Sequence, residues 1–336
     1  MSRVLPVDPH APDADVVDEA ARVLRGGGLV GLPTETVYGL AACALDEDAV
    51  ARVFAAKGRP TSHPLIAHVL GEDEARRLAA QWPDVAHRLA SAFWPGPLTL
   101  IVDRAGDVPS AVAGGGDSIA VRAPSHPVAR AVIRALGQPI AAPSANRFQG
   151  LSPTTADHVV RQLGTFVGLV LDAGPCAAGI ESTVVDVRSP RPRVLRPGAL
   201  DLPTLRTIAP DVELHSDALA GNELRASPGM QAKHYSPRAQ LLLASDRAGA
   251  ERITVELLAR GKSVGLLVLG PSSKRTFPRL AVHSLPPDPV AYAHAMFAAL
   301  HALDEIGVDA IVVEAVPQDD AWLAVADRLR RAACPG

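Results

Sequence analysis

Residues 14–33 read ADVVDEAARVLRGGGLVGLP, and this stretch indicates the type of fold more directly than any other. Its first twelve residues place apolar side chains at helical spacing, which predicts an amphipathic helix over 14–25 that ends at a run of three glycines. The apolar residues 29–32 then predict a buried strand that ends at Pro33. A helix followed closely by a buried strand is typical of an α/β protein.

Helix and strand signals continue to alternate over the first two hundred residues. A second helix is predicted from Asp46, because acidic residues in its first turn favour the helix dipole. Further strands are predicted at 65–70, 98–102, 119–122, 140–142, 169–171, 183–187 and 194–196, and further helices at 83–92, 127–136 and 155–163. The close spacing of the later strands favours antiparallel additions, so we predict an α/β fold with a twisted mixed sheet flanked by helices.

The chain has 336 residues, more than one core usually organises, which favours two domains. Periodicity fades between about residues 207 and 238, where Pro and Gly punctuate a polar stretch, as is typical of a linker. Strand and helix signals then resume at the spacing of a small three-layer α/β unit. We therefore predict a first domain over 1–206, a linker over 207–238 and a smaller Rossmann-like α/β domain over 239–336.

Composition argues against several classes of protein. The formal net charge is −3 at pH 7, which disfavours a protein that coats nucleic acid electrostatically. No apolar run is long enough to cross a bilayer, and residues 1–18 do not resemble a signal peptide. Cys43, Cys176 and Cys334 are widely spaced and have no CxxC or nearby His partner. We therefore expect a cytoplasmic protein with reduced cysteines, no membrane association and no stable binding of nucleic acid.

Two short polar clusters give the first indication of function. Lys57 and Arg59 are two residues apart, and so are Ser144 and Asn146, each pair beside apolar, strand-like sequence. Side chains two apart on an extended backbone point to the same side, so one pair would offer two cations and the other a hydroxyl and an amide. These groups suit a polyanion such as a nucleotide triphosphate, although no Walker loop lies between them.

Each cluster also has a simpler structural interpretation. Lys57 continues the apolar stripe of the second helix, where a lysine commonly neutralises the helix C-terminus. Ser144 and Asn146 follow a predicted strand, where such residues commonly form local turns. Pro60 favours the functional interpretation of Arg59, because a loop stiffened by proline is suited to position an anion.

Polar residues also follow two other predicted strands. Residues 33–40, PTETVYGL, come after the strand at 29–32, and Arg122 closes the strand at 119–122. Ligands of α/β proteins commonly bind at strand ends. The threonines of 33–40 can equally cap a turn between strands, so these residues alone leave both interpretations open.

In order and spacing, these segments closely resemble the YrdC-like threonylcarbamoyl-AMP synthase family. The resemblance is carried by PTETVYGL (33–40), by the Lys57/Arg59 and Ser144/Asn146 pairs, and by GIESTVVD (179–186). Three further segments resemble the longer, two-domain form of the family: VLRPG (194–198), SPGM (227–230) and KHYSP (233–237). The resemblance implies a YrdC-like fold for the first domain, and it extends over the last hundred residues by layout alone.

The resemblance implies a nucleotidyltransferase that makes L-threonylcarbamoyladenylate from L-threonine, bicarbonate or CO₂, and ATP, with release of pyrophosphate. The product would serve threonylcarbamoyladenosine modification of tRNA through a separate transferase. The carbamate of threonine would attack the α-phosphorus of ATP, a step that needs alignment and charge neutralisation more than covalent catalysis. Mg²⁺ is expected with ATP as a phosphate-bound ion, so no protein ligands to a metal are predicted.

The resemblance and the charges of the residues together imply individual roles. The predicted catalytic residues, which hold the triphosphate or the carbamate, are Lys57, Arg59, Ser144 and Asn146. Further contacts to ATP are predicted for Thr61, Ser118, Ser152, Arg196 and Tyr235. Contacts to L-threonine are predicted for Thr34, His68, Arg122, Ala142 and Ser182. Arg122 is expected to pair with the threonine carboxylate, which its planar guanidinium suits.

The linker and the second domain have open interpretations. The Pro–Gly hinges of 207–238, together with Lys233, His234 and Tyr235, predict a lid that folds over the nucleotide, and a passive tether is the alternative. The second domain shows no site motif, so a regulatory role and a docking role toward the tRNA-modifying enzyme both stay open.

Two other functions are compatible with parts of the sequence. Carbamoyl-handling hydrogenase maturation proteins use the same fold, but they carry zinc-finger segments and this chain has no CxxC motif. A non-catalytic RNA-binding module is the second alternative, which the acidic net charge and the aromatic content of 4% disfavour.

Overall fold

The structure is a computed structural model that describes residues 2–215, 234–272 and 278–334. The described strands form two sheets, one of eleven strands and one of four. The larger sheet combines parallel and antiparallel pairs, whereas the pairs of the smaller sheet are parallel. The predicted α/β class, with a mixed sheet and a smaller second α/β unit, is confirmed.

The larger sheet is built from short strands that lie before residue 215. They are β1 (Arg3–Pro6), β2 (Val30–Leu32), β3 (Gly39–Cys43), β4 (Ile66–His68), β5 (Leu98–Asp103), β6 (Ser118–Arg122), β7 (Ile140–Ala141), β8 (Leu169–Asp172), β9 (Thr183–Asp186), β10 (Arg193–Arg196) and β11 (Glu213–Leu214). Their order across the sheet is β1-β8-β2-β3-β7-β4-β6-β5-β9-β10-β11.

Helices connect these strands and pack against the sheet. They are α1 (Ala14–Arg25), α2 (Glu47–Lys57), α3 (Glu72–Leu78), α4 (Asp84–Phe93), α5 (Pro127–Leu136), α6 (Ala156–Leu163) and α7 (Leu202–Ile208). Local sequence explains where they begin and end: the Asp46 carboxylate caps α2, and Gly137 in the left-handed conformation ends α5. The predicted bounds of α1 and α5 agree with the structure residue for residue.

The central strands separate two faces of the sheet through the alternation of their side chains. Ala67 and Val121 point to one face and join the large apolar core beneath the helices. Ile66, Ala120 and Ile101 belong to a small, separate apolar cluster on the opposite face. Polar residues two positions further along the same strands share that second face, and the candidate site lies there.

The second unit has four parallel strands with helices on both faces. Its strands are β12 (Gln240–Ala244), β13 (Val264–Leu269), β14 (Leu280–Leu285) and β15 (Ala310–Glu314), in the order β12-β15-β13-β14. Its helices are α8 (Arg247–Ala259), α9 (Pro289–Ile306) and α10 (Leu323–Ala333). One apolar core lies between the sheet and α8, and another lies between the sheet and the α9–α10 pair, as the predicted three layers require.

The two units share apolar packing. Leu151, Ile180 and Tyr235 belong to the same buried cluster as Phe297 of α9 and Leu329 of α10. This shared cluster sets the second unit against the edge of the first, next to the segment that precedes β9. In the part of the chain that the structure describes, no helix has the length and apolarity needed to cross a membrane.

Several elements were not predicted, among them strands whose partners lie far away in the chain. β3 has the sequence GLAAC, whose small residues give no strand signal, yet it pairs with β2 and β7 inside the sheet. β1, α3, α7, β11 and β14 were missed as well. α7 and β11 extend into the predicted linker at 207–238, of which residues 216–233 lie outside the described residues. The domain division therefore stays a prediction, and so does the lid role of Lys233.

Candidate active site

A cleft lies on the second face of the larger sheet, where Ile66 contributes to its floor. Its volume is about 510 Å³, including the part that is open to solvent. The residues that line it are Thr34, Thr36, Val37, Gly39, Arg59, Ile66, His68, Arg122, Ala142, Pro143, Ser144, Glu181, Ser182, Arg196, His234 and Tyr235. Polar and cationic side chains therefore dominate its wall.

Arg122, at the end of β6, is a buried cation with a carboxylate partner. Its Nη2 lies 2.6 Å from Oε1 of Glu35, and its Nη1 donates to Oγ1 of Thr36 at 3.0 Å. Burial alone would raise the pKa of the Glu35 carboxyl, but the Arg122 guanidinium and backbone hydrogen bonds together outweigh burial and hold that pKa below its usual value. The pair carries little net charge, while Arg122 still lines the cleft.

His68, at the end of β4, lies opposite Arg122 in the sheet register. Its Nδ1 is 3.1 Å from the carbonyl oxygen of Ile66, which assigns the proton to Nδ1 and leaves Nε2 as an acceptor. Burial, and then the charge of Arg122, lower the pKa of His68 to about 3. The ring is therefore neutral at pH 7, and it adds a hydrogen-bonding group beside Arg122 without adding a charge.

Lys57 ends helix α2, and Gly58 follows in the left-handed conformation with a φ of 65°. The Nζ of Lys57 donates to the backbone oxygens of Ser144 and Asn146, the second at 2.7 Å, so the two predicted clusters meet. Burial, and then the nearby Arg59, lower the pKa of Lys57 well below its usual value. Lys57 fixes the loop at 144–146 from behind the cleft wall, and a contact between its amino group and a phosphate stays a prediction.

Arg59 lines the cleft and has no carboxylate partner among the described residues. Its Nη2 donates to the carbonyl oxygen of Pro64 at 3.0 Å, and its buried Nε has no hydrogen-bond partner in the described ranges. Burial lowers the pKa of Arg59 to about 10, which leaves the guanidinium charged at pH 7. A charged, largely desolvated guanidinium without a counter-ion favours the binding of an anion at this wall.

Arg196, at the end of β10, orders the segment that precedes β9. Its Nη2 donates to the carbonyl oxygen of Ser182 at 2.8 Å and to the Ser182 hydroxyl at 3.1 Å. The neighbouring Glu181 also lines the cleft and accepts a hydrogen bond from the Ser152 hydroxyl. Ser152 therefore acts from behind the wall, through Glu181.

His234 and Tyr235 bring the segment before the second sheet to the cleft. Tyr235 has a φ of 60°, a left-handed conformation that residues other than glycine rarely adopt. The Tyr235 hydroxyl and the His234 Nδ1 are buried and have no hydrogen-bond partner among the described residues. Burial, and then the cations around it, lower the pKa of His234 well below its usual value, so the ring is neutral. These two neutral polar groups are available to a ligand.

The cleft brings together most of the predicted site residues. Its wall includes Thr34, Arg59, His68, Arg122, Ala142, Ser144, Ser182, Arg196 and Tyr235. Lys57, Asn146 and Ser152 are not part of the wall but are hydrogen-bonded behind it. Thr61 and Ser118 do not line the cleft: Thr61 is exposed after α2, and Ser118 begins β6 at the end opposite Arg122. Ligand contacts of all these residues stay predictions.

Three residues with polar side chains at the cleft had no predicted site role. Thr36 and Glu181 line it, and Glu35 pairs with Arg122. Thr36 follows Thr34 at the two-residue spacing that places side chains on one side, and this signal was available in the sequence. The pairing of Glu35 with Arg122 joins residues 87 positions apart, so no local pattern indicates it.

One group of side chains has a composition that could suit a metal ion, and it lies outside the cleft lining. His158, His301 and Glu305 offer ligand atoms within 4.8 Å of one another. The two imidazole rings stack, with centroids 3.7 Å apart and 15° between their planes. Their lone pairs lie in nearly parallel planes and do not converge on one ion. This histidine pair is better described as packing between α6 and α9.

The fold and the cleft define a two-domain α/β protein with an arginine-lined cleft on its larger sheet. Residues 22–198 match the family model for Sua5, YciO and YrdC proteins, which is described as telomere recombination. Residues 202–334 match the family model for the C-terminal domain of threonylcarbamoyl-AMP synthase. The chain belongs to this family in its two-domain form, and the predicted resemblance is confirmed.

Individual relatives are similar over almost the whole chain. A Pyrococcus abyssi protein named threonylcarbamoyl-AMP synthase is 40% identical over 320 residues, which cover 93% of this chain and 92% of the relative. A Bacillus subtilis protein of the same name is 37% identical over 331 residues, which cover 94% and 92%. The crystal structure of Pyrococcus abyssi Sua5 complexed with L-threonine is similar to this structure with a TM-score of 0.91 at 37% identity, covering 99% of this chain and 98% of that one.

Proposed function

We propose that this chain is an L-threonylcarbamoyladenylate synthase. It joins L-threonine, bicarbonate or CO₂, and ATP into threonylcarbamoyl-AMP and releases pyrophosphate. The names of relatives that match over more than nine-tenths of the chain support this activity. The L-threonine in the crystal structure of the Pyrococcus abyssi relative supports the choice of amino acid.

The observation that carries the proposal is the pairing state of two buried arginines in one cleft. Arg122 is paired with Glu35, and His68 beside it is neutral; these three residues are called the Arg122 group. Arg59 has no carboxylate partner among the described residues; with Arg196 and Tyr235 it is called the Arg59 group. The cleft thus offers one nearly neutral set of donors and acceptors and one cationic set.

The Arg122 group suits the amino acid. A zwitterionic amino acid has no net charge, so it needs matched donors and acceptors more than an excess of cations. The Arg122 guanidinium would hold the threonine carboxylate with parallel N–H···O bonds. The hydroxyls of Thr34 and Ser182 and the acceptor Nε2 of His68 would meet its amine and hydroxyl, and Ala142 would contribute apolar surface.

The Arg59 group suits the triphosphate of ATP. Arg59 would contact the phosphates directly, with Ser144, Arg196 and Tyr235 on the same wall. Thr61 and Ser118 do not line the cleft, so they would contact only a part of ATP that extends outside it. Mg²⁺ would be held by the phosphates, where it neutralises charge; the wall carries hydroxyls and the already paired Glu181 carboxylate, which fits an ion with few protein ligands.

The reaction follows from placing both substrates together. The threonine ammonium first loses a proton to solvent, and the resulting amine adds to CO₂ and loses a second proton, which gives a carbamate. A carbamate oxygen attacks the α-phosphorus, and the bond from that phosphorus to the bridging oxygen breaks as pyrophosphate leaves. Arg59 would neutralise charge that develops on the α-phosphate, while Lys57 and Asn146 hold the loop that presents Ser144.

The proposal also includes the use of the product and the compartment in which the reaction takes place. The product is an activated carbamoyl group, so a tRNA threonylcarbamoyl-transferase would consume it, in the cytoplasm. A non-catalytic RNA-binding role is less favoured, because the arginines of the cleft are buried where an RNA backbone does not reach.

A pyrophosphate-release assay tests this function. With ATP and Mg²⁺, the protein is expected to release pyrophosphate only when L-threonine and bicarbonate are both present. Omission of either substrate is the control. Release that ignores threonine, or no release from folded protein, contradicts the proposal.

A further inference from the structure

Helix α10 of the second domain places a buried arginine against the wall of the cleft. The Nε of Arg328 donates to Oε2 of Glu181 at 2.7 Å, across 147 residues of chain. Its guanidinium carbon also lies 4.9 Å from the ring centroid of Tyr235, within reach of a cation–π contact. Arg328 is 1% exposed, and its Nη2 has no hydrogen-bond partner among the described residues.

Glu181, the ion-pair partner of Arg328, places a negative charge where it would repel the proposed ligand ATP. Glu181 lines the cleft and is 5% exposed, so its charge is poorly screened by water. The first domain supplies a hydroxyl from Ser152 and the nearby charge of Arg196, and Arg328 supplies the direct ion pair. Without Arg328, this carboxylate would repel a triphosphate held by the Arg59 group.

We propose that Arg328 is a positioning residue for ATP, through which the second domain neutralises Glu181 and holds the ring of Tyr235 at the cleft. This inference rests on the proposed function, because it assigns Arg328 to the ATP side of that same site. It gives the second domain a defined part in substrate binding, although none of the described residues of that domain lines the cleft.

The neighbouring Arg331 provides a matched control on the same helix. Its Nε donates to Oδ1 of Asp327 at 2.8 Å, and the Nη1 of Arg328 donates to Oδ2 of Asp327 at 2.7 Å. Both arginines are buried cations that share one carboxylate. Only Arg328 has an ion pair with Glu181 among the described contacts, so the two variants differ in the feature at issue.

A purely structural role for the pair predicts a different result. Breaking a buried ion pair destabilises the folded protein whichever ligand it binds, so a structural role would affect the binding of both ligands alike. A role in ATP binding instead predicts selectivity between ligands and rescue by removal of the opposite charge. Calorimetric titration of the full-length protein with Mg·ATP, and separately with L-threonine, measures both.

Arg328→Gln is expected to weaken ATP binding about tenfold or more, while threonine binding changes by less than about twofold, since one uncompensated charge near a polyanion is worth at least one decade of affinity. The double variant Glu181→Gln/Arg328→Gln is expected to recover ATP binding to within about threefold of the unmodified protein. Arg331→Gln is expected to leave ATP binding within the same range.

If Arg328→Gln does not fold, the double variant Glu181→Gln/Arg328→Gln still tests the inference. It is expected to fold, because two neutral side chains can replace a buried ion pair. Failure of the folded double variant to recover ATP binding overturns the inference. Equal losses for ATP and threonine in Arg328→Gln, or equal effects of Arg328→Gln and Arg331→Gln, also overturn it. If the unmodified protein does not bind ATP at all, the proposed function fails first, and the two failures are thereby distinguished.

Discussion

Arg122 and Arg59 line the same cleft, but their positive charges are compensated to different degrees. Arg122 lies 2.6 Å from the Glu35 carboxylate, and its neighbour His68 has a pKa lowered to about 3 and is neutral. Within the described ranges, Arg59 donates a side-chain hydrogen bond only to the carbonyl oxygen of Pro64, and Arg196 is its cationic neighbour. Among the described residues, the Arg122 group is close to electroneutral, whereas the Arg59 group contains an arginine without a carboxylate partner.

This difference would allow one cleft to bind two ligands of different charge at different places. A neutral zwitterion gains little from excess cations, whereas a triphosphate needs them. A buried guanidinium without a counter-ion is costly, and the binding of an anion relieves that cost. Variants that remove one charge from one group should therefore affect one substrate far more than the other.

Removal of the unpaired cation should have the largest effect. Arg59→Gln is expected to lower kcat/KM for ATP roughly a thousandfold, the upper range for loss of a charge-stabilising donor, and to leave threonine binding nearly unchanged. Steady-state pyrophosphate release and threonine calorimetry measure the two parts. Arg147→Gln, outside the cleft lining, is the matched control. An equal loss for both ligands would remove the distinction between the groups.

Substitution of Lys57, which lies behind the cleft wall, should have the second-largest effect on activity. Lys57→Ala is expected to lower kcat about a hundredfold, because the loop at 144–146 loses the ammonium that holds its backbone oxygens. A folded variant, checked by circular dichroism, should still bind threonine. Lys262→Ala, at an exposed salt bridge, serves as the control. Unchanged pyrophosphate release would remove Lys57 from the mechanism.

Removal of the paired cation, Arg122, should have a smaller effect on activity than the two changes above. It should impair the use of threonine more than the use of ATP. Arg122→Gln is expected to raise KM for threonine about thirtyfold, since a charge-assisted hydrogen bond is worth about 2 kcal/mol. KM for ATP should change by less than about threefold. Initial rates at varied threonine and at varied ATP provide the comparison, and a larger change for ATP than for threonine would reverse the assignment of the two groups.

The smallest effect on activity is expected for His68, because its ring stays neutral at the pH of the assay. Its low pKa should instead appear in the pH dependence of stability. Its folded pKa, about 3, lies below the unfolded value of 6.5, so the unfolded state binds more protons between these values. Its contribution to stability is therefore complete above pH 6.5 and falls as the pH drops toward 3, by about 2 kcal/mol at pH 5.

Urea unfolding at pH 7 and pH 5 checks this slope. His68→Asn is expected to lose about 2 kcal/mol less stability than the unmodified protein between these two pH values. In the unmodified protein, KM for threonine should show no inflection near pH 6.5, because His68 stays neutral. An inflection that His68→Asn abolishes would mean that a charge develops beside Arg122.

The sequence predicted the elements whose signals are local. The helices α1 and α5 were predicted at their observed bounds from local sequence, and for α1 the three glycines that follow it marked its end. The strand β3 was missed because its Gly and Ala residues pack well only between two particular neighbours. The same distinction holds at the site, where motif residues such as Arg59 and Arg122 were identified. The Arg328–Glu181 pair was not, because it exists only after the second domain packs against the first.

A crystal structure of the full-length protein with L-threonine and a non-hydrolysable ATP analogue tests the central claim most directly. The claim predicts the threonine carboxylate within hydrogen-bond distance of Arg122 and the phosphates within hydrogen-bond distance of Arg59, in one continuous cleft. Phosphates bound at Arg122, or two ligands bound on separate surfaces, would contradict it.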